Sequence, residues 1–213
     1  MNQDVLNQPA PGFCAANELM LTAAGEEALR PGLTVRAYFH ELMQHENYAD
    51  ARRVLAHALP KRRALWWGLL CAWEAVRPCP PENVQEVLRA VARFVMEPGE
   101  EKRRQVEAIS KLVRFESMAN QLAQAAFLST GSMTAPDLPE VFPQPFLTGR
   151  LVGVTVYLSS VLREPARYQQ RLKEYIAVGL EVARVDQPWR VLAPFEHAPV
   201  LESAGAGLAA LAL

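Results

Sequence analysis

The stretch PKRRALWWGLLCAWEAV, residues 60–76, decides the fold. Leu65, Leu69 and Trp73 recur at helical spacing, and further apolar residues, including Trp66 and Trp67, cover most of the remaining circumference. A helix that is apolar on nearly all sides is normally buried within its own protein. The stretch therefore predicts a central helix from residue 61 to residue 76, ended by the prolines at 78, 80 and 81.

The segments on either side carry narrower apolar stripes separated by proline and glycine, which is typical of surface helices around a core. Thr34 and Asn47 have the side chains that most often cap a helix N-terminus. The remaining apolar-periodic segments lie at residues 17–29, 35–43, 47–58, 82–97, 100–129 and 168–184. About seven helices in all predict an all-α fold, either a bundle or a stack of antiparallel helix pairs.

Residues 150–163 allow two interpretations. Val152, Val154 and Val156 alternate as in a strand, but the apolar run continues beyond ordinary strand length. A lone strand would lack a pairing partner, so we expect a helix.

The chain divides into three parts by composition. Residues 1–16 contain Pro9, Pro11 and Gly12 with little periodicity and predict a flexible N-terminal arm. Residues 17–184 predict a single helical domain. Residues 185–213 predict an irregular tail, which contains three prolines and finishes as the apolar sequence AGAGLAALAL.

Charge and cysteine usage restrict the surroundings of the protein. The 213 residues carry 22 basic and 23 acidic side chains, and this balance argues against general nucleic-acid binding. No apolar run approaches the roughly 18 residues that suggest a membrane span. Three cysteines, without a Cys-x-x-Cys motif, argue against a disulfide framework. Because the N-terminus also lacks the pattern of a secretory signal, we expect a cytoplasmic protein.

No motif predicts catalytic residues, a metal site or a cofactor. His40 and His45 flank Glu41 and Glu46, but five-residue spacing separates the two imidazoles by about 140° around a helix, so a zinc-protease site is excluded. Cys71 lies on the tryptophan-rich helix, where a free cysteine behaves as a small apolar residue.

The start of the central helix is the most unusual feature. Lys61, Arg62 and Arg63 place three cations where the helix dipole is positive, so something must compensate them. With Trp66 and Trp67 they form a candidate partner-binding patch. The alternative is a pair of core tryptophans beneath a solvated basic turn. The second basic run, Lys102-Arg103-Arg104, has neighbouring glutamates and predicts only a solvated surface.

Two other segments are candidates for contact with a partner. Residues 130–148 hold four prolines, and a connection of this length is either a functional loop or an ordered strap. The apolar tail predicts docking on its own core, capture by a partner groove, or disorder.

The residues Pro60, Lys61, Arg62, Trp66, Trp67 and Cys71 form a Pro-Lys-Arg-x-x-x-Trp-Trp-x-x-x-Cys pattern. This pattern resembles that of an uncharacterised family of bacterial all-helical proteins, and residues 35–184 are similar to it in helix order. The family accompanies genes for type VI secretion and related contractile injection systems. The resemblance implies an accessory role as an adaptor or chaperone whose protein partner is a secretion effector or a spike component. It assigns no catalytic residue.

Three functions remain open from the sequence. The first is a non-enzymatic cytoplasmic adaptor, chaperone or scaffold. The second is an immunity protein that neutralises a toxin, which would present a concentrated charged face. The third is a helical enzyme with an unrecognised site, for which His40, His45 or His57 would have to meet a carboxylate in a polar cleft.

Overall fold

The computed structural model describes residues 3–191, which form α-helices joined by turns and loops, with one short 3₁₀ helix at Pro165–Arg167. No strand is present in this part of the chain, and the predicted all-α class is confirmed. The α-helices are α1 (Gln3–Leu6), α2 (Ala10–Ala16), α3 (Ala23–Ala28), α4 (Val35–Gln44), α5 (Tyr48–Ala58), α6 (Lys61–Val76), α7 (Glu82–Met96), α8 (Glu100–Ser110), α9 (Met118–Phe127), α10 (Leu147–Val161), α11 (Tyr168–Arg184) and α12 (Pro188–Val191).

Two helices form the centre of the molecule. Helix α6 is buried along most of its length, as its composition predicts, and packs on α7, α9, α10 and α11. Helix α10 is the second central element and contacts α5, α6, α9 and α11. Most of the ambiguous segment 150–163 belongs to α10, so the prediction of a helix is confirmed there. The small residues of α10 allow the neighbouring helices to approach closely. A Cβ at Gly149 would clash with the His57 ring at 2.7 Å, so α5 crosses α10 on this glycine.

Side-chain caps define several helix starts. Thr34 accepts a hydrogen bond from the Ala37 amide, and Asn47 accepts one from the Asp50 amide, so both predicted caps are confirmed. Thr22 caps α3 in the same way, and its hydroxyl also donates to the fully buried Asp50 carboxylate at 2.5 Å. This network fixes α3 against the start of α5.

The structure has more helices than the roughly seven that we predicted. Part of the excess is short: α1, α2, α3 and α12 have seven residues or fewer. The predicted long helix 100–129 is also wrong, because the chain turns at residues 111–117 and begins again as α9. The Ser117 side chain caps the new helix by accepting from the Asn120 amide. No proline or glycine marks this break, and the apolar periodicity continues across it, which is why the sequence predicts one long helix.

The first sixteen residues differ from the expected flexible arm over the part that the structure describes. Residues 3–6 and 10–16 are helical, and Phe13 and Cys14 are buried against the core. Pro11 is compatible with this helix because it lies in the first turn, where its missing amide hydrogen costs nothing. The C-terminal sequence AGAGLAALAL lies outside the described residues.

None of the helices in the described range combines the length and apolarity that crossing a membrane requires.

Candidate protein-recognition site

Trp66 and Trp67 lie in the core and not on a surface patch. Their side chains are 1% and 0% exposed, and the Trp67 indole donates a hydrogen bond of 2.7 Å to the Tyr175 carbonyl. The predicted partner-binding role of these two residues is therefore wrong in physical terms, because neither ring can reach a partner. Burial of large aromatic surface gives them a structural role instead.

The three cations before the tryptophans bind the ends of three other helices. Lys61 Nζ donates to the Ser129 carbonyl, just beyond the end of α9, at 3.0 Å. Arg62 donates to two carbonyls at the end of α7, and Arg63 donates to three at the end of α11. These five carbonyls belong to Val95, Met96, Val182, Ala183 and Val185. We call Lys61, Arg62 and Arg63 the cation junction.

The cation junction explains how three positive charges are tolerated at a helix start. The last carbonyls of a helix lack intrahelical partners and carry the negative end of its dipole. Three such ends converge on the first turn of α6 and offset its positive end. Arg62 also lies 3.7 Å above the Trp189 ring, which extends the contact to α12. The geometry thus assigns the three side chains to helix assembly, since each of them donates to a carbonyl at or just beyond the end of another helix.

The long connection between α9 and α10, residues 128–146, is ordered by two arginines, and we call it the strap. Arg103 is 1% exposed and donates to the Phe127 carbonyl and to the Ser132 carbonyl, both at 2.8 Å. Arg104 donates to the carbonyls of Ser132 and Thr134. The second basic run is therefore no simple solvated surface, since two of its members hold the strap.

Glu100 orients both arginines. Its carboxylate accepts two bonds of 2.6 Å from Arg103 and one of 2.9 Å from Arg104. The hydrogen bond from Arg103 is the main cause that lowers the pKa of Glu100 to about 2. Gly131, at a φ of +69°, lies against the Arg103 guanidinium, where a Cβ would approach within 3.0 Å. Glycine at this position therefore permits both the backbone turn and the close contact.

The strap is closed by hydrogen bonds of its own. The Met133 amide donates to the Val141 carbonyl at 2.8 Å, and the Val141 amide donates to the Ser132 hydroxyl at 3.0 Å. The Thr134 hydroxyl donates to the Pro139 carbonyl at 2.7 Å. These contacts tie residues 132–141 into a compact loop, and the prolines restrict the backbone further.

This fixed loop presents large apolar side chains to solvent. Leu138, Val141 and Phe142 are 55%, 47% and 63% exposed. Asp137 and Glu140 lie between or beside them, also exposed, and neither forms an ion pair with another residue of the described range. Apolar side chains held out on a rigid loop, with free carboxylates around them, have the composition of a protein-recognition surface.

The histidines and cysteines do not meet in a reaction centre within residues 3–191. His40 and His45 are exposed, and the half-buried His57 ring forms a 2.9 Å hydrogen bond with the Arg53 carbonyl. Burial lowers the pKa of His57. Cys14 and Cys71 are buried thiols, and burial raises the pKa of Cys14 to about 11. No group of three potential metal ligands occurs in the described part of the chain.

Sequence reasoning located the strap as a candidate contact segment but missed the residues that position it. Arg103 reaches carbonyls 24 and 29 residues away, and no local pattern encodes that distance. The usable signal is compositional, since apolar residues alternate with prolines in a segment that cannot be helical.

Comparison with known proteins places these features within one family. No curated protein and no solved structure shows a significant match to the chain. One family model does match, over residues 38–183, which contain the cation junction, both central helices and the strap. Because this match covers more than half of the sequence, the chain belongs to the family of unknown function DUF6931.

Proposed function

We propose that the protein is a non-enzymatic cytoplasmic adaptor or chaperone that binds a protein partner through the strap. The observation that carries this proposal is the fixed exposure of Leu138, Val141 and Phe142. The helical body acts as a rigid support, and the arginines of α8 hold the loop in one conformation. No bond-making chemistry is required of it.

The physical advantage of the strap is pre-organisation. A flexible loop would lose conformational entropy on binding, which subtracts from affinity. Here Arg103, Arg104 and the prolines already restrict the loop before a partner arrives. Full burial of a leucine, valine or phenylalanine side chain contributes about 1.5 to 3 kcal/mol, so these three half-exposed side chains supply part of the affinity and the contacts around them supply the rest.

The chemistry of the strap describes its partner. Leu138 and Phe142 require an apolar pocket, and the carboxylates of Asp137 and Glu140 require basic residues at its rim. The resemblance of the double-tryptophan segment to proteins encoded beside contractile secretion genes supports a spike component or an effector of a bacterial type VI system as that partner.

The proposal is tested with a matched pair of baits. The variant Leu138→Ser/Phe142→Ser removes the exposed apolar surface, and Leu162→Ser removes an exposed leucine beyond α10. Both variants should keep the wild-type unfolding temperature, because the altered side chains are exposed. In quantitative affinity purification from the native organism, the proposed partner is retained by wild-type and Leu162→Ser baits and lost from the double variant.

Direct measurement then follows with the purified partner. We expect the double variant to weaken binding at least tenfold and Asp137→Asn/Glu140→Gln to slow association, chiefly at low salt. A spike protein or effector that binds the double variant with unchanged affinity would refute the strap as the recognition site.

A further inference from the structure

A second feature of the fold, separate from the strap residues, is a cleft of about 560 Å³ between α1, α4, α5 and α11. Its volume falls within the range of small-molecule sites. Its apolar walls come from Leu6, Val35, Ala37, Phe39, Val54, Leu55, Ala58, Leu180 and Ala183. An apolar concavity of this size favours a hydrocarbon-like occupant.

The polar lining of the cleft is cationic. Arg36 and Arg184 line it from α4 and α11, His40 lies with them, and Thr34 completes the polar contribution. Both arginines are exposed, and neither has a carboxylate within 4.0 Å in the described range. Among the acids nearby in sequence, Glu41 pairs with Arg30, and neither Glu181 nor Asp186 forms an ion pair with Arg184 in the described range.

Arg36 and Arg184 differ from the arginines that hold the strap and from those of the cation junction, because the latter donate to acceptors within the chain. Arg63 and Arg103, for example, each donate to backbone carbonyls at 2.7 to 2.9 Å. Arg36 and Arg184 keep their donors directed to no acceptor of the described chain, beside an apolar cavity. Two free guanidinium groups are suited to an anionic group, because each offers several donors in a planar fork.

We propose that the cleft binds a single-chain amphiphile with an anionic head group, such as a medium-chain carboxylate. The hydrocarbon chain contacts the accessible edges of Leu6, Ala37 and Phe39, and the head lies between Arg36 and Arg184. A protein helix is a poorer match, because the cavity has the volume of a small ligand and its rim carries the two arginines Arg36 and Arg184. This site is independent of the strap, so either can fail without the other.

The test uses the full-length, isotopically labelled protein and sodium decanoate below its micelle concentration. We expect backbone amide shifts at Phe39, Ala58 and Leu180, with saturable binding in calorimetry. Decyl phosphate should also bind, whereas decylamine and decanol should bind at least tenfold more weakly. Acetate, which has the head group without the chain, should produce no comparable shifts.

Variants separate the rim from the walls. Arg36→Gln/Arg184→Gln should weaken decanoate at least tenfold, while Arg89→Gln, an exposed arginine of α7, should leave it unchanged. Ala37→Trp, at an exposed position lining the cleft, should block binding without loss of folding. The proposal is overturned if decanoate produces no shifts, if its shifts map to the strap, if decylamine binds equally well, or if the double arginine variant binds as the wild type does.

Discussion

The chain contains the tripeptide Lys-Arg-Arg twice, at residues 61–63 and 102–104, and each copy lies in the first turns of a helix. In α6 no acid accompanies the cations, and all three donate to carbonyls at or just beyond the ends of other helices. In α8 Glu100 shares Arg103 and Arg104 with carbonyls of the strap. One copy joins helices and the other holds a loop.

The difference shows that the partners of a basic run decide its role. Both copies act on carbonyls distant in sequence, because arginine has a long stem and several donors. The cation junction depends on the packing of α7, α9 and α11, so its loss affects the whole fold. The α8 copy contacts one carboxylate and one loop, so we expect its removal to destabilise chiefly the strap.

The largest effect is expected at Arg63. Substitution Arg63→Met keeps an aliphatic stem but removes the guanidinium that donates to the carbonyls of Val182, Ala183 and Val185. Loss of hydrogen bonds from a charged group costs about 1.5 to 3 kcal/mol. We expect the free energy of unfolding in urea, followed by tryptophan fluorescence, to fall by about 3 kcal/mol.

The control for this change is Arg89→Met, which alters an exposed arginine of α7 and should change the free energy of unfolding by less than about 0.5 kcal/mol. Equal stability of the two variants would contradict the assignment of Arg63 to helix assembly.

A smaller loss of stability is expected for Arg103→Met, and it should be localised to the strap. This change removes the donors to the Phe127 and Ser132 carbonyls and leaves Glu100 with Arg104 alone. We expect a loss of about 2 kcal/mol in the free energy of unfolding. Hydrogen exchange should accelerate most at the amides of Met133 and Val141, which close the strap.

Lys102→Met provides the neighbouring control, because within residues 3–191 Lys102 pairs with the exposed Glu97 and not with the strap. It should leave exchange in the strap unchanged. If Arg103→Met accelerated exchange evenly over all helices and spared the strap, the comparison between the two basic runs would fail.

Much of the fold follows from the sequence because its helices are strongly periodic. The bounds expected for α6 agree with the structure, and those of α7 nearly so, since prolines and a glycine flank continuous apolar stripes. The break between α8 and α9 was not predictable in this way, because residues 111–117 contain no helix breaker. The N-terminal helices were not predicted because Pro9, Pro11 and Gly12 are typical of a loop. In the structure these residues lie at or within the start of a helix whose Phe13 is buried.

The candidate site was predictable only in part. The prolines of residues 130–148 identify a long non-helical connection, and this much requires no structure. Which way Leu138 and Phe142 face depends on Arg103 and Arg104, whose partners lie 24 to 30 residues away. The same limitation applies to Trp66 and Trp67, since only packing distinguishes core tryptophans from a binding patch.

The smallest expected effect concerns pH and isolates the carboxylate that distinguishes the two basic runs. The pKa of Glu100 is lowered from an ordinary 4.5 to about 2, so its charged form is favoured in the folded state. Its contribution to stability is fully present above about pH 4.5 and is lost as the pH falls from there toward 2. Because the Glu100 side chain is 58% exposed, solvent screening limits this contribution to about 0.5 kcal/mol. We therefore expect Glu100→Gln to destabilise the protein slightly at pH 7 and to match the wild type only at about pH 2 and below, whereas Glu101→Gln should leave the stability unchanged at both pH values. Chemical denaturation at a series of pH values measures the difference, and a Glu100→Gln deficit that persists unchanged at low pH would mean that the carboxylate charge does not hold the arginines of the strap.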